Sequence, residues 1–251
     1  MGQTMPNPLI LNAEQEHTRL RLAVVLLLGL TFILLFTLIR ALLQTGPETL
    51  ASFSLTLACL LATPLALGIV WGIEQWLKRV WPSGYRLVLD EAGLVVEQPE
   101  REAVRFARGE GVNYLGWFFK LRGYKRGGRE RRAPESWCCL ACQVQQADQI
   151  LIVYAYAPAK QAEAIAQTYA GPFRFHAITP ADVYGQKGLA GRLQAPTRPE
   201  SFPAQILSGK DGRYWLAEQR RWREGLELPP KEFSLFLNYL QSGLLPVAGS
   251  Q

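Results

Sequence analysis

The chain is poor in the side chains that bind transition metals or run nucleophilic catalysis. Its 251 residues include two histidines, His17 and His176, and four cysteines. Cys138, Cys139 and Cys142 are close together, but neither a second cysteine pair nor a neighbouring histidine completes a ligand set, so the sequence predicts no metal site. Cys139-Leu-Ala-Cys142 has the spacing of a redox motif. It falls in a stretch of strand character with no adjoining βαβ pattern, so these thiols read as small buried hydrophobes. A serine or cysteine nucleophile lacks a base beside it. Neither a Walker A sequence nor a G-x-G-x-x-G run opening a helix occurs. Glu97, Glu100 and Glu102 read as the solvated side of a hairpin. No catalytic residue and no cofactor are predicted.

Charge is also scarce in the first third. Eighteen uncharged residues separate Arg21 from Arg40, and twenty-five separate Glu48 from Glu74. As helices these runs would extend about 27 Å and about 37 Å, enough to cross a hydrocarbon core. Gly46-Pro47 breaks the helix between them, which predicts a two-helix transmembrane hairpin over residues 20–81. A signal peptide would be shorter and would end at a small-residue cleavage site, which "IRALLQT" does not supply. Arg19 and Arg21 precede the first span and Lys78, Arg79 and Arg86 follow the second, whereas the turn holds only Arg40. This bias places both termini in the cytoplasm. The predicted interfacial anchors are Trp71, Trp76, Lys78, Arg79 and Trp81. Ala58, Ala62 and Ala66 recur every four residues and Gly68 and Gly72 form a small-xxx-small pair, suited to packing within the hairpin or between copies.

Beyond Pro82-Ser83-Gly84 the pattern alternates. "YRLVLDEAGLVVEQPE" reads as a hairpin around Asp90–Gly93, with Tyr85, Leu87 and Leu89 on one face. An aromatic strand around Tyr114, Trp117, Phe118 and Phe119 follows, then "SWCCLACQVQQ" and "QILIVYAYA" as a further hairpin. "APAKQAEAIAQTYAG" closes the run as an amphipathic helix between Pro158 and Gly171. Strands closed by one helix form the pattern of a small barrel or sandwich with a plugged end, and the stretch 85–171 is expected to fold without the spans. Residues 1–19 form an N-terminal cytoplasmic segment in this scheme, and 172–251 a linker and helical extension.

Two spans followed by "YRLVLDEAGLVVEQ", "EAVRFARGEGVNYLG" and the terminal "IVYAYAPAKQAEAIAQTYA" resemble bacterial pleckstrin-homology-like membrane proteins, the YcxB-like group, over roughly residues 20 to 171. The resemblance implies a cytoplasmic barrel of about seven strands on a membrane hairpin and carries over no catalytic residue. It implies a binding or scaffolding module. A membrane-bound enzyme or transport accessory subunit is the alternative.

Two segments lie outside that pattern. "RGYKRGGRERR" with Lys120 collects Lys120, Arg122, Lys125, Arg126, Arg129, Arg131 and Arg132 around one acid, Glu130. It reads as a solvated mobile loop, a contact for anionic membrane lipid, or a site for an acidic protein, with nucleic acid ranked behind these. Gly127-Gly128 suggests that it is pliable. "RYWLAEQRRWREG" and "PPKEFSLFLNYLQSG" read as helices that either dock on the barrel or, for the first, lie on lipid.

Overall fold

The computed structural model describes residues 8–14, 18–99, 101–108, 111–123, 126–169, 174–179, 201–202, 204–209 and 211–244. It divides into two compact units, one spanning Glu14–Ser83 and the other joining the residues up to Ala13 to those from Gly84 onward.

The first unit contains α1 (Thr18–Gln44), a short α2 (Glu48–Ser52) and α3 (Ser54–Val80). Both α1 and α3 are long and apolar enough to cross a membrane. They pack along one another, and Ala58, Ala62, Ala66 and Val70 form the buried stripe of α3. Small side chains at a spacing of four let two backbones approach closely. Gly68 and Gly72 lie off this stripe, where a Cβ would meet open space, so the hairpin does not use the glycine pair for its own packing. Pro64 sits inside α3. Many leucines and isoleucines of the two helices, among them Leu22, Leu30, Ile33, Leu38, Leu60 and Ile69, are exposed, the distribution that lipid rather than water tolerates.

The second unit starts before the hairpin. Strand β1 (Leu9–Asn12) pairs antiparallel with β2 (Arg86–Leu89), and the Ala13 N–H donates to the Tyr85 carbonyl at 2.9 Å. Within the segment that the sequence set apart as N-terminal, Leu9–Asn12 is therefore an edge strand of the domain, and the hairpin is an insertion between two neighbouring strands. The first sheet continues with β3 (Gly93–Gln98) and β4 (Arg101–Ala107), in the order β1-β2-β3-β4. The turn from β2 to β3 follows from its residues. Asp90 Oδ1 accepts from the backbone N–H groups of Ala92 and Gly93 at 2.8 Å each, an Asx arrangement. At Gly93, φ is +152° and a Cβ would lie 2.0 Å from the Phe106 carbonyl oxygen, so no other residue fits against β4 there.

The second sheet has the order β8-β5-β6-β7-β9, from β5 (Asn113–Lys120), β6 (Trp137–Gln146), β7 (Gln149–Pro158), β8 (Phe175–Ala177) and β9 (Leu226–Glu227). The outer two strands are parallel to their neighbours and the inner three form an antiparallel meander. Among the described residues both sheets are open, so the closed barrel expected from the sequence is replaced by two sheets. Gln146 links them: its side-chain amide donates to the Ala107 carbonyl and accepts from the Ala107 N–H, at 2.9 and 2.8 Å.

Strands β6 and β7 are buried on both faces, which is why they read as nearly continuous apolar runs. Leu140, Val144, Val153 and Ala155 join one core with Leu87, Leu94 and Phe106 of the first sheet. That core also takes in α4 (Ala159–Thr168) through Ala162 and Ile165, and α7 (Pro230–Tyr239) through Phe233, Phe236 and Leu237. On the opposite face, Trp117, Phe119, Ile152, Tyr154 and Tyr156 pack with Tyr214, Trp215 and Ala217 of α6 (Gly212–Glu224). A short α5 (Ala204–Ser208) precedes α6. Gly171 and most of the stretch read as a linker lie outside the described residues. The C-terminal segment is integral to the domain: it adds β9 to the sheet and α7 to the main core, and the Tyr239 hydroxyl donates to the Asp90 carbonyl at 2.8 Å.

Because Ala13 and Tyr85 are hydrogen-bonded neighbours, replacing residues 14–83 by a short flexible linker should leave a soluble domain with a cooperative unfolding transition. A fragment confined to residues 85–171 lacks β1, β9, α6 and α7 and exposes the core they cover, so circular dichroism and thermal melting should find it without a cooperative transition.

Candidate functional site

The basic run is a strap fixed to the domain through its one acid. After β5 the chain passes Arg122, forms a single 3-10 turn over Gly128–Arg132 and enters β6. Glu130 is fully buried beneath that turn, and its Oε1 lies 2.7 Å from Arg221 Nη2 on α6. Arg221 grips a second buried carboxylate in fork geometry, with Nε 2.8 Å from Glu218 Oε2 and Nη2 2.8 Å from Glu218 Oε1. Glu218 Oε2 also accepts from the Trp117 indole N–H at 2.9 Å, and Arg221 Nη1 donates to the Tyr156 hydroxyl at 3.3 Å. The guanidinium lies over the rings of Tyr154 and Phe119, 4.8 and 5.5 Å from their centroids.

One cation thus holds two carboxylates in a buried pocket walled by aromatics. Burial opposes the charge on Arg221, but the Cys139 sulfur, Glu218 and Tyr156 act the other way, and the guanidinium stays well above its ordinary value. Burial pushes the Tyr156 phenol far up, against the pull of Arg221. Nothing in this arrangement offers a nucleophile or a proton donor to a substrate, because every member faces inward. Its work is mechanical: it fixes the strap to α6 and α6 to the sheet.

The seven predicted basic residues divide accordingly. Arg126 folds back on its own segment, donating to the carbonyls of Ala133 and Glu130 and pairing with Glu135 Oε1 at 3.3 Å. Arg132 Nη2 pairs with Glu227 Oε2 of β9 at 3.2 Å. Arg131 is exposed while its Nε donates to the Arg126 carbonyl at 3.3 Å. Lys120 and Arg122 are exposed at the end of β5. Lys125 lies outside the described residues, and Arg129 is described only as part of the turn. Gly127 does not act as a free hinge, since a Cβ there would come within 2.9 Å of the Trp222 ring. The strap is thus joined to the rest of the domain through Glu130 and Arg132.

The interfacial residues predicted for the hairpin are placed on α3 and just beyond it. Trp71, Trp76 and Trp81 are exposed, as is Arg79. Lys78 pairs along the helix with Glu74 at 2.8 Å. Cys139 and Cys142 face opposite sides of β6 and belong to different cores, so the redox spacing does not bring the two sulfurs together. Burial raises the Cys138 thiol and pushes that of Cys142 up to about 12, which leaves both as unreactive hydrophobes. His176, remote in sequence from these thiols, has Nε2 2.9 Å from Asp211 Oδ1 and stacks on Tyr214.

The sequence reading missed Glu218, Arg221 and the burial of Glu130. A local signal existed: Glu218 and Arg221 are three apart on a helix, and Glu130 is the lone acid within a cationic run. That these meet across ninety-one positions is decided by the packing of α6 on the second sheet.

No family model, curated protein or solved structure matches the chain.

Arg221→Met leaves two buried carboxylates without their cation and should cost about 3–5 kcal/mol near neutral pH. An uncompensated buried carboxyl has a raised folded-state pKa, which destabilises above the unfolded value. Denaturant titrations of this variant should therefore show the loss shrinking as the pH is lowered toward that value. Adding Glu130→Gln and Glu218→Gln should recover much of the stability and remove the pH dependence.

Proposed function

We propose that this protein is a membrane-anchored binding or scaffolding module of the pleckstrin-homology-like, YcxB-like kind, which uses its basic strap to contact anionic lipid headgroups. The observation that carries the reading is that the strap is clamped by Glu130 and Arg132 while Lys120, Arg122 and Arg131 remain exposed on it. Cations held on a fixed segment lose less conformational freedom on binding than cations on a mobile loop. Six strands after the hairpin, β2 to β7, followed by α4 support the kinship, since the resemblance calls for about seven strands closed by a helix. Lipid is favoured over other anions because the same chain carries two helices of spanning length, which would hold the strap near a charged surface at high effective concentration.

The β1–β2 pairing supports a topology with both ends of the hairpin on one side, as two spans require. The basic flanks favour the cytoplasmic side of a bacterial inner membrane.

Reporter fusions at either terminus should be active only in the cytoplasm; an externally active terminus would reverse the topology. The full chain in neutral nanodiscs should capture acidic vesicles, release them as salt rises, and lose about a hundredfold in affinity when Lys120, Arg122 and Arg131 become Gln. Tighter binding to a polynucleotide at the same ionic strength would replace lipid by nucleic acid as the partner.

A further inference from the structure

The strap does not end the exposed basic surface. Helix α6 buries Tyr214, Trp215, Ala217, Glu218 and Arg221 against the sheet, which occupies one side of the helix. Arg213, Leu216, Arg220 and Arg223 are spaced three, four and three residues apart and therefore share the opposite side, where all four are exposed. Glu218 is buried, so Glu224 at the C-terminal end is the one exposed carboxylate of the helix. Trp222 lies on the flank toward the strap with its ring against Gly127, and 38% of its surface remains open. Leu216 is 36% open between the arginines.

We propose that this outer face of α6, with Trp222 at its edge, is a second contact for the acidic lipid surface, in which the arginines meet headgroups and Trp222 and Leu216 enter the interfacial layer. Arginine with tryptophan on a short helix is a chemistry suited to the headgroup boundary, where an indole keeps its apolar body in lipid and its N–H in water. Charge complementarity selects an acidic surface over a neutral one. The helix is already folded and locked by Arg221 to Glu130 and Glu218, so binding requires no coupled folding. Since strap and helix touch at Gly127 and Trp222, the two contacts are adjacent and reinforce each other. The inference rests on the membrane-bound reading above but uses different residues.

The test is quenching of tryptophan emission by lipids brominated on their acyl chains, with the full chain in nanodiscs that are neutral or contain acidic lipid. The contribution of Trp222 is the difference between the protein and Trp222→Phe. Acidic nanodiscs should quench that contribution and neutral ones should not. High salt, or Arg213→Gln with Arg220→Gln and Arg223→Gln, should abolish the effect, since each arginine is worth about a fivefold preference for an acidic surface. Amide exchange of residues 212–224 in the unmodified protein gives a reading independent of any variant and should slow in acidic nanodiscs alone. Equal quenching and equal exchange in both lipids would overturn the proposal, as would slower exchange with a polynucleotide than with acidic lipid. Failure here with vesicle capture through Lys120, Arg122 and Arg131 intact would leave the strap as the sole lipid contact. Loss of both would remove the membrane-binding reading itself.

Discussion

The domain is organised around one guanidinium. Arg221 is fully buried, and a buried cation is tolerated only where carboxylates and acceptors surround it in good geometry. Glu218 supplies a fork from its own helix, Glu130 reaches in from the strap, and Trp117 and Tyr156 anchor the group to β5 and β7. Three pieces of chain far apart in sequence are thereby fixed to one point. An apolar residue of similar volume could fill the same pocket, but it would not specify which segment crosses over it. The directional bonds of the guanidinium do so, because any other placement of strap or helix would leave a buried charge unmatched.

The surface consequences follow from that anchor. With Glu130 drawn inward, its neighbour Arg131 is exposed on the turn, and Gly127 lies against Trp222 at the flank of α6. Helix α6 is also bonded to β5 through Glu218 and the Trp117 indole. A charged surface of this kind gains attraction from each basic group while losing little entropy on contact, a combination that a disordered basic tail does not have.

A second constraint is the way the chain enters and leaves its hairpin. The hydrogen bond between Ala13 and Tyr85 closes the domain across an excursion of seventy residues, Glu14–Ser83, that packs as a separate unit. The strand before the excursion contributes Leu11 and Ala13 to the main core, and the strand after it contributes Leu87 and Leu89. The domain is thus tied to the hairpin at both ends of the insertion.

The sequence by itself determined the local features. Long uncharged runs dictated α1 and α3, because their length and composition leave little but helix. Asp90 and Gly93 set the turn between β2 and β3 through side-chain acceptance and a missing Cβ. Alternation placed Leu87 and Leu89 inward, and Pro158 marked the entry to α4. Only the tertiary structure decided what joins what. Four residues before the hairpin carry too little pattern to reveal that they pair with a strand more than seventy positions later, and β9, two residues long, carries none. Among the described residues the strands form two open sheets, with α7 in the core they share and α6 on the opposite face of the second, an arrangement set by contacts between distant segments. The basic run left a solvated loop, a lipid contact and an acidic-partner site open because charge counts do not fix a segment's place, whereas the fate of Glu130 depends on Arg221 arriving from ninety-one residues away. Periodicity and composition report on each segment's own preferences; a buried ion network is a property of segments already brought together.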